Sequence, residues 1–199
     1  AITNYYGLFG LYEVPWILAQ LSTLFVFLVI INAINFIDGI DGLAISEVIK
    51  TILFIEFFSA NQTVLTPLSI LLVFSLIALY YFNFKKKRKV FLGDGGSLLL
   101  GTFVSVYIFF VLGNEYQFKE GLQINKVLFA VLVILYPLVD LLRVFVIRIS
   151  KGKSPFTADQ NHIHHYLIGH LKLSHFKALG VIIIVELFMF LVLFFSAKL

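Results

Sequence analysis

Two asparagines, two aspartates and two glycines crowd into Asn32–Ala44, directly after the apolar run Ile17–Ile31: Asn32, Asn35, Asp38, Gly39, Asp41 and Gly42. A charged side chain is costly to bury in lipid, so carboxylates at such a place mark a functional site. Each aspartate is followed by a glycine, which accepts positive φ and favours a turn. The combination suits a polar cleft at a membrane face that holds a metal ion or a phosphate. A second stretch, Phe91-Leu92-Gly93-Asp94-Gly95-Gly96-Ser97, sets one aspartate among three glycines just before another apolar run. Ser97 is expected to cap the following helix, whose N-terminal amides suit phosphate. Asp94 would offer Mg²⁺ a hard oxygen ligand. Alone, this stretch fits a capped turn with a solvated aspartate as well; beside Asn32–Gly42 on one membrane face it reads as part of a site. A third stretch, Ser154–His165, holds His162, His164 and His165 within four residues. Their spacing lacks the partner ligands of a zinc site. Phosphate or sugar contact is the better reading, with Arg143, Arg148, Lys151 and Lys153 as anion partners. His170 and His175 read as ordinary surface histidines.

The elements that must position these groups are membrane spans. The chain has 199 residues, is 60% hydrophobic and 13% charged, and includes 23 phenylalanines. Its mean hydropathy is +1.00. A soluble domain is nearer half apolar and one quarter charged. Runs long enough to span lipid fall at about Trp16–Ile31, Leu43–Ser59, Leu68–Phe82, Leu98–Leu112, Val127–Ile147 and Ala178–Phe195. The second contains Glu47, Lys50 and Glu56, of which Glu47 and Lys50 are spaced to pair on one helix face. The fifth contains Pro137, Asp140 and Arg143. The expected fold is an all-α polytopic membrane protein, a bundle of about six helices in which residues 1–199 form one membrane-embedded domain. There is no cysteine, which excludes disulfides and thiolate metal sites. No signal-peptide pattern opens the chain, and it reads as the later part of a longer protein.

The basic run Lys85-Lys86-Lys87-Arg88-Lys89 fixes its loop in the cytoplasm and touches anionic lipid. Counting spans from there puts Asn32–Gly42, Gly93–Ser97 and residues 148–177 on the same cytoplasmic side. All five aspartates (38, 41, 94, 140, 159) then lie at that face, while the six glutamates lie elsewhere. A shared site explains the sorting. Aspartates, a divalent metal, glycine turns and basic or histidine partners suit phosphoryl transfer, where positioning and charge stabilisation carry the catalysis. An ion-coupled carrier is the rival class, disfavoured because no span looks broken at mid-membrane. A Gly-x-Gly-Asp protease would need glycine at Phe91, and a CDP-alcohol phosphotransferase would need arginine at Ile45.

Three motifs together resemble the polyprenyl-phosphate N-acetylhexosamine-1-phosphate transferases, glycosyltransferase family 4: Asn32-x-x-Asn35-x-x-Asp38-Gly39-x-Asp41-Gly42-Leu43, Phe91-Leu92-Gly93-Asp94-x-Gly96-Ser97 and His162-Ile163-His164-His165. They occur in the family's order, and the last is similar to the branch that uses UDP-N-acetylglucosamine or a related UDP-sugar to start surface glycans such as O-antigen or teichoic acid. The resemblance implies transfer of sugar-1-phosphate to undecaprenyl phosphate with release of UMP, at the inner membrane, by a multi-pass protein whose site faces the cytoplasm. It implies Mg²⁺, with Mn²⁺ as an alternative, on Asn35 and Asp94. Asp38 and Asp94, with His162, His164 and His165 on the pyrophosphate or sugar, would be the catalytic set. Asp41 would lie near the uracil, Asn32 would support its loop, and Arg148 and Asp159 would support the histidine loop and substrate. Partners are the UDP-sugar, the lipid phosphate and the bilayer; a homodimer is compatible with the family, and nucleic acid is not expected. The family's paired aspartates on an earlier loop have no counterpart here, so the N-terminal part is expected to lie outside this chain. An inactive fragment or a partner-binding membrane subunit is the remaining alternative.

Overall fold

A computed structural model describes residues 2–7, 12–85, 87–122, 124–155 and 161–196. Among the described residues eight helices follow one another: α1 Trp16–Ile37, α2 Leu43–Phe58, α3 Thr66–Asn83, α4 Gly93–Val111, α5 Lys126–Val133, α6 Leu135–Ser150, α7 Ile163–Gly169 and α8 His175–Ser196. Among the described residues the only extended pairings are two isolated bridges, Asn4 with Glu13 and Ser59 with Phe118. The chain is an all-α polytopic membrane protein. α1, α3, α4 and α8 are long and apolar enough to cross a membrane. Their outer faces show side chains such as Ile17, Phe25, Phe74 and Ile184, as a lipid-facing surface requires.

The helices depart from the sequence expectation at three places. α1 runs six residues past Ile31, so Asn32 and Asn35 belong to its last turns and only 38–42 form the turn into α2. Ala33, Ile34 and Ile37 are buried and continue the helical apolar face through the two asparagines. Next, α4 begins at Gly93, so the glycine-rich stretch is its first turn, and Ser97 caps nothing. Last, the fifth span is broken: α5 and α6 meet at an angle of 76°. Pro137 lacks an N–H and its ring clashes with the carbonyl four residues back, here Val133, where α5 ends. The six expected spans therefore become four long helices, one bent pair and α2, which has 16 residues. The break also removes the sequence argument against a carrier.

The core sits where α1 packs on α4 and α6, with α2 between α3 and α4. At Gly101 an added Cβ would stand 2.8 Å from Ile31 Cα. That close crossing, of the kind small residues permit between membrane helices, brings the end of α1 to the start of α4.

Candidate active site

The three polar stretches meet at one end of the bundle. Asn35 Nδ2 donates to Ser97 Oγ at 2.7 Å, and Ser97 Oγ donates to the Asp94 carbonyl at 3.1 Å. Ser97 is fully buried. This bond points the Asn35 carboxamide nitrogen into α4 and leaves its oxygen unpartnered among the described residues. Asp94 is exposed in the first turn of α4. Asp38 caps the end of α1. Burial, then the nearby Asp94 and Asp41 carboxylates, push its carboxyl up to about 6. Such a set of hard oxygens, two carboxylates and one carboxamide, fits a divalent cation of the Mg²⁺ type. Among the described residues, no cluster of three or more His, Asp or Glu has metal-holding geometry.

The histidine loop closes over the first turn. His164 is fully buried, and a Cβ at Gly39 would lie 2.1 Å from its Nε2. Only glycine leaves room for the ring. The three rings follow one another: His162 stacks on His164 with centroids 5.4 Å apart, and His165 lies tilted against His164 at 4.3 Å. Burial, reinforced by His165, lowers the His164 imidazole to about 3. It is neutral at physiological pH, and neither ring nitrogen has a hydrogen-bond partner among the described residues. His162 is set from α6: its Nδ1 lies 2.7 Å from Asp140 Oδ2. The Ile163 amide donates to Asp140 Oδ1 at 2.9 Å. Beside His165 a pocket of about 340 Å³ is lined by Arg143, Asn161, Tyr166 and His170 as well.

Asp41 is held by the Lys89 ammonium at 2.5 Å, and its other oxygen lies 2.9 Å from His175 Nδ1. The turn itself is pinned by Asn83, whose Oδ1 accepts the Gly42 amide at 2.7 Å and whose Nδ2 donates to the Val90 carbonyl at 2.8 Å. Arg148 is buried; it donates to the Pro155 carbonyl and lies over the Phe36 ring at 5.8 Å, supporting the loop. Asn32 donates to the Leu28 carbonyl of its own helix at 2.7 Å and so faces back along α1 rather than into the turn. Asp159 lies outside the described residues.

Sequence reasoning gave four positions no individual role in the site. His175 is a partner of Asp41 rather than a free surface residue, and Lys89 is more than a topology anchor. Asp140 had a visible signal, an aspartate inside an apolar span. Asn83 had none, because a single asparagine ending an apolar helix looks like any other.

The family model described as glycosyl transferase family 4 matches residues 1–112, more than half the chain. The chain belongs to that family. It is 35% identical over 112 residues to an undecaprenyl-phosphate alpha-N-acetylglucosaminyl 1-phosphate transferase of Pasteurella multocida (strain Pm70), covering 54% of this chain and 30% of that protein. It is 33% identical over 138 residues to a decaprenyl-phosphate N-acetylglucosaminephosphotransferase of Mycobacterium leprae (strain TN), covering 66% of this chain and 33% of that protein. The chain thus spans about a third of the length of these relatives. No solved structure matches.

Proposed function

We propose that this glycosyl transferase family 4 member serves transfer of N-acetylhexosamine-1-phosphate from a UDP-sugar, UDP-N-acetylglucosamine first, to undecaprenyl phosphate with release of UMP. The site then faces the cytoplasm from the inner membrane. The observation that carries this reading is the convergence: Asn35 bonded to Ser97 beside Asp94, with His164 seated on Gly39. In the reaction the lipid phosphate attacks the β-phosphate of the donor. Asn35 Oδ1 and Asp94, with Asp38 beside them, would hold Mg²⁺, which supplies charge neutralisation on the diphosphate. Asp38 stands nearest the reacting phosphate. Asp41, oriented by Lys89 and His175, faces the nucleotide base. His162, fixed by Asp140 in one orientation, and His165 contact the pyrophosphate or sugar. Neutral His164 fills the space under them and keeps water from the turn.

The test is UMP release from UDP-N-acetylglucosamine and undecaprenyl phosphate with Mg²⁺, by the full-length protein that carries these residues. Asp94→Ala and Asn35→Ala are expected to lower it about 10²-fold or more, the scale of losing one charge-stabilising group. Unchanged release in both sinks the assignment.

A carrier is the second reading, because its membrane helices are often broken at the binding site. The α5–α6 break, however, is closed by a side chain, Glu186, on the Tyr136 amide. Transport of a substrate without UMP release would favour the carrier.

A further inference from the structure

We propose that Glu186, Lys50 and Glu47 form an intramembrane brace that fixes the α5–α6 break and so aims Asp140 and His162 into the site. The aiming part rests on the transferase reading; the brace itself does not.

The break frees amides that a continuous helix would pair. In lipid every such group must find a partner within the protein. Pro137 has no amide to satisfy. Tyr136 does, and it donates to Glu186 Oε1 at 3.3 Å. The same carboxylate oxygen is held by the Lys50 ammonium, which also lies 2.6 Å from Glu47 Oε2. Glu47 and Glu186 are buried, and the Lys50 side chain is 10% exposed. Glu186 is the twelfth of the 22 residues of α8, the middle of a span. One ammonium between two carboxylates thus joins α2, α8 and the first turn of α6.

Packed apolar residues usually stabilise a core at least as well as a buried ion set. What charges add is direction. Tyr136 and Asp140 are four residues apart on α6, on one face and about 6 Å apart along the axis. Asp140 holds His162 Nδ1 and the Ile163 amide. The amide that Glu186 grips is therefore one turn from the carboxylate that grips the histidine loop, and any slide or roll of α6 at the break moves that loop. Among the described residues, Glu47 Oε1, Glu186 Oε2, Thr51 Oγ1 and the Tyr136 hydroxyl are buried without hydrogen-bond partners. Among the described residues Lys50 is the one cation paired with either group, and losing it leaves both glutamates buried without a counter-charge.

The chain has no cysteine, so spin labels at Val131→Cys and Val146→Cys report the bend, and labels at Leu28→Cys and Val106→Cys report the α1–α4 packing. Glu186→Leu is expected to shift or broaden the first distance; Glu186→Gln, which keeps an acceptor oxygen, is expected to hold it. In ¹⁵N-histidine spectra the His162 Nδ1 signal should move toward that of a free imidazole in Glu186→Leu and stay in Glu186→Gln. Donor kcat/KM should fall by up to about 10²-fold in Glu186→Leu, the cost of a small misplacement, and recover in Glu186→Gln. An unchanged first distance in Glu186→Leu overturns the brace. A shifted distance with unchanged His162 signal and kcat/KM overturns the aiming. If Glu186→Leu also loses the α1–α4 distance, Lys50→Gln decides: a displaced bend supports the brace and an unmoved one overturns it. If the unsubstituted protein releases no UMP, the transferase reading fails while the distances stand.

Discussion

His164 and Asp38 titrate in opposite senses, and their balance is measurable. The His164 imidazole is lowered to about 3, below its usual 6.5, so its contribution to stability is present above 6.5 and is lost as pH falls toward 3. The Asp38 carboxyl is raised to about 6, so its contribution is present below its ordinary value near 3.8 and is lost as pH rises through 6. Between pH 4 and 6 the two slopes oppose each other. The metal-free protein should therefore melt at nearly constant temperature across that window. Asp38→Asn removes one slope, and its melting temperature should drop as pH falls from 6 to 4; His164→Gln removes the other, and its melting temperature should rise. Parallel melting profiles for all three proteins would refute the assignment. The sequence made Asp38 legible because a carboxylate beside an apolar run needs a reason. The depth of His164 was not legible, since it comes from Gly39 having no Cβ across 125 positions of chain.

At the scale of helices, the site depends on how closely α1 and α4 cross. Gly101→Ala would put a Cβ 2.8 Å from the Ile31 backbone. Overpacking of this kind costs roughly 1–3 kcal/mol, and the separation it forces should stretch the Asn35–Ser97 bond. The expected outcome is protein that still inserts, melts lower and releases UMP more slowly, as read by thermal unfolding and by the release assay; wild-type values in both would count against this geometry. The polar stretches were legible as places, but their helix ends were not. Asn32 and Asn35 looked like loop residues because asparagine favours turns, yet one bonds its own helix and the other bonds Ser97. Pro137 can kink a helix, yet the fifth span did not read as broken; the 76° bend exposes the Tyr136 amide, and its partner Glu186 lies fifty positions along the chain. The predicted pairing of Glu47 with Lys50 is present; that Glu186 joins them is a long-range fact no local pattern carries.

For the whole molecule, fold class was legible from composition and run length alone, and the orientation expected from the basic run is open to direct test. Single cysteines at Gln117 and Lys151, at opposite ends of the bundle, should label from opposite sides with a membrane-impermeant thiol reagent, Lys151→Cys from the cytoplasm and Gln117→Cys from outside. Labelling of both from one side would reverse or break the proposed topology. One consequence of the Asn35–Ser97 junction concerns the field it creates. The last carbonyls of α1 carry partial negative charge and the first amides of α4 partial positive charge, and the junction sets these two poles side by side. A divalent cation paired with a diphosphate has a polarity of its own. Laid across the junction with its metal toward α1 and its phosphates toward α4, it runs down the local potential, and turned about, it runs up. The backbone of two helices would thus give a nucleotide bound as proposed a preferred sense before any side chain reads its base.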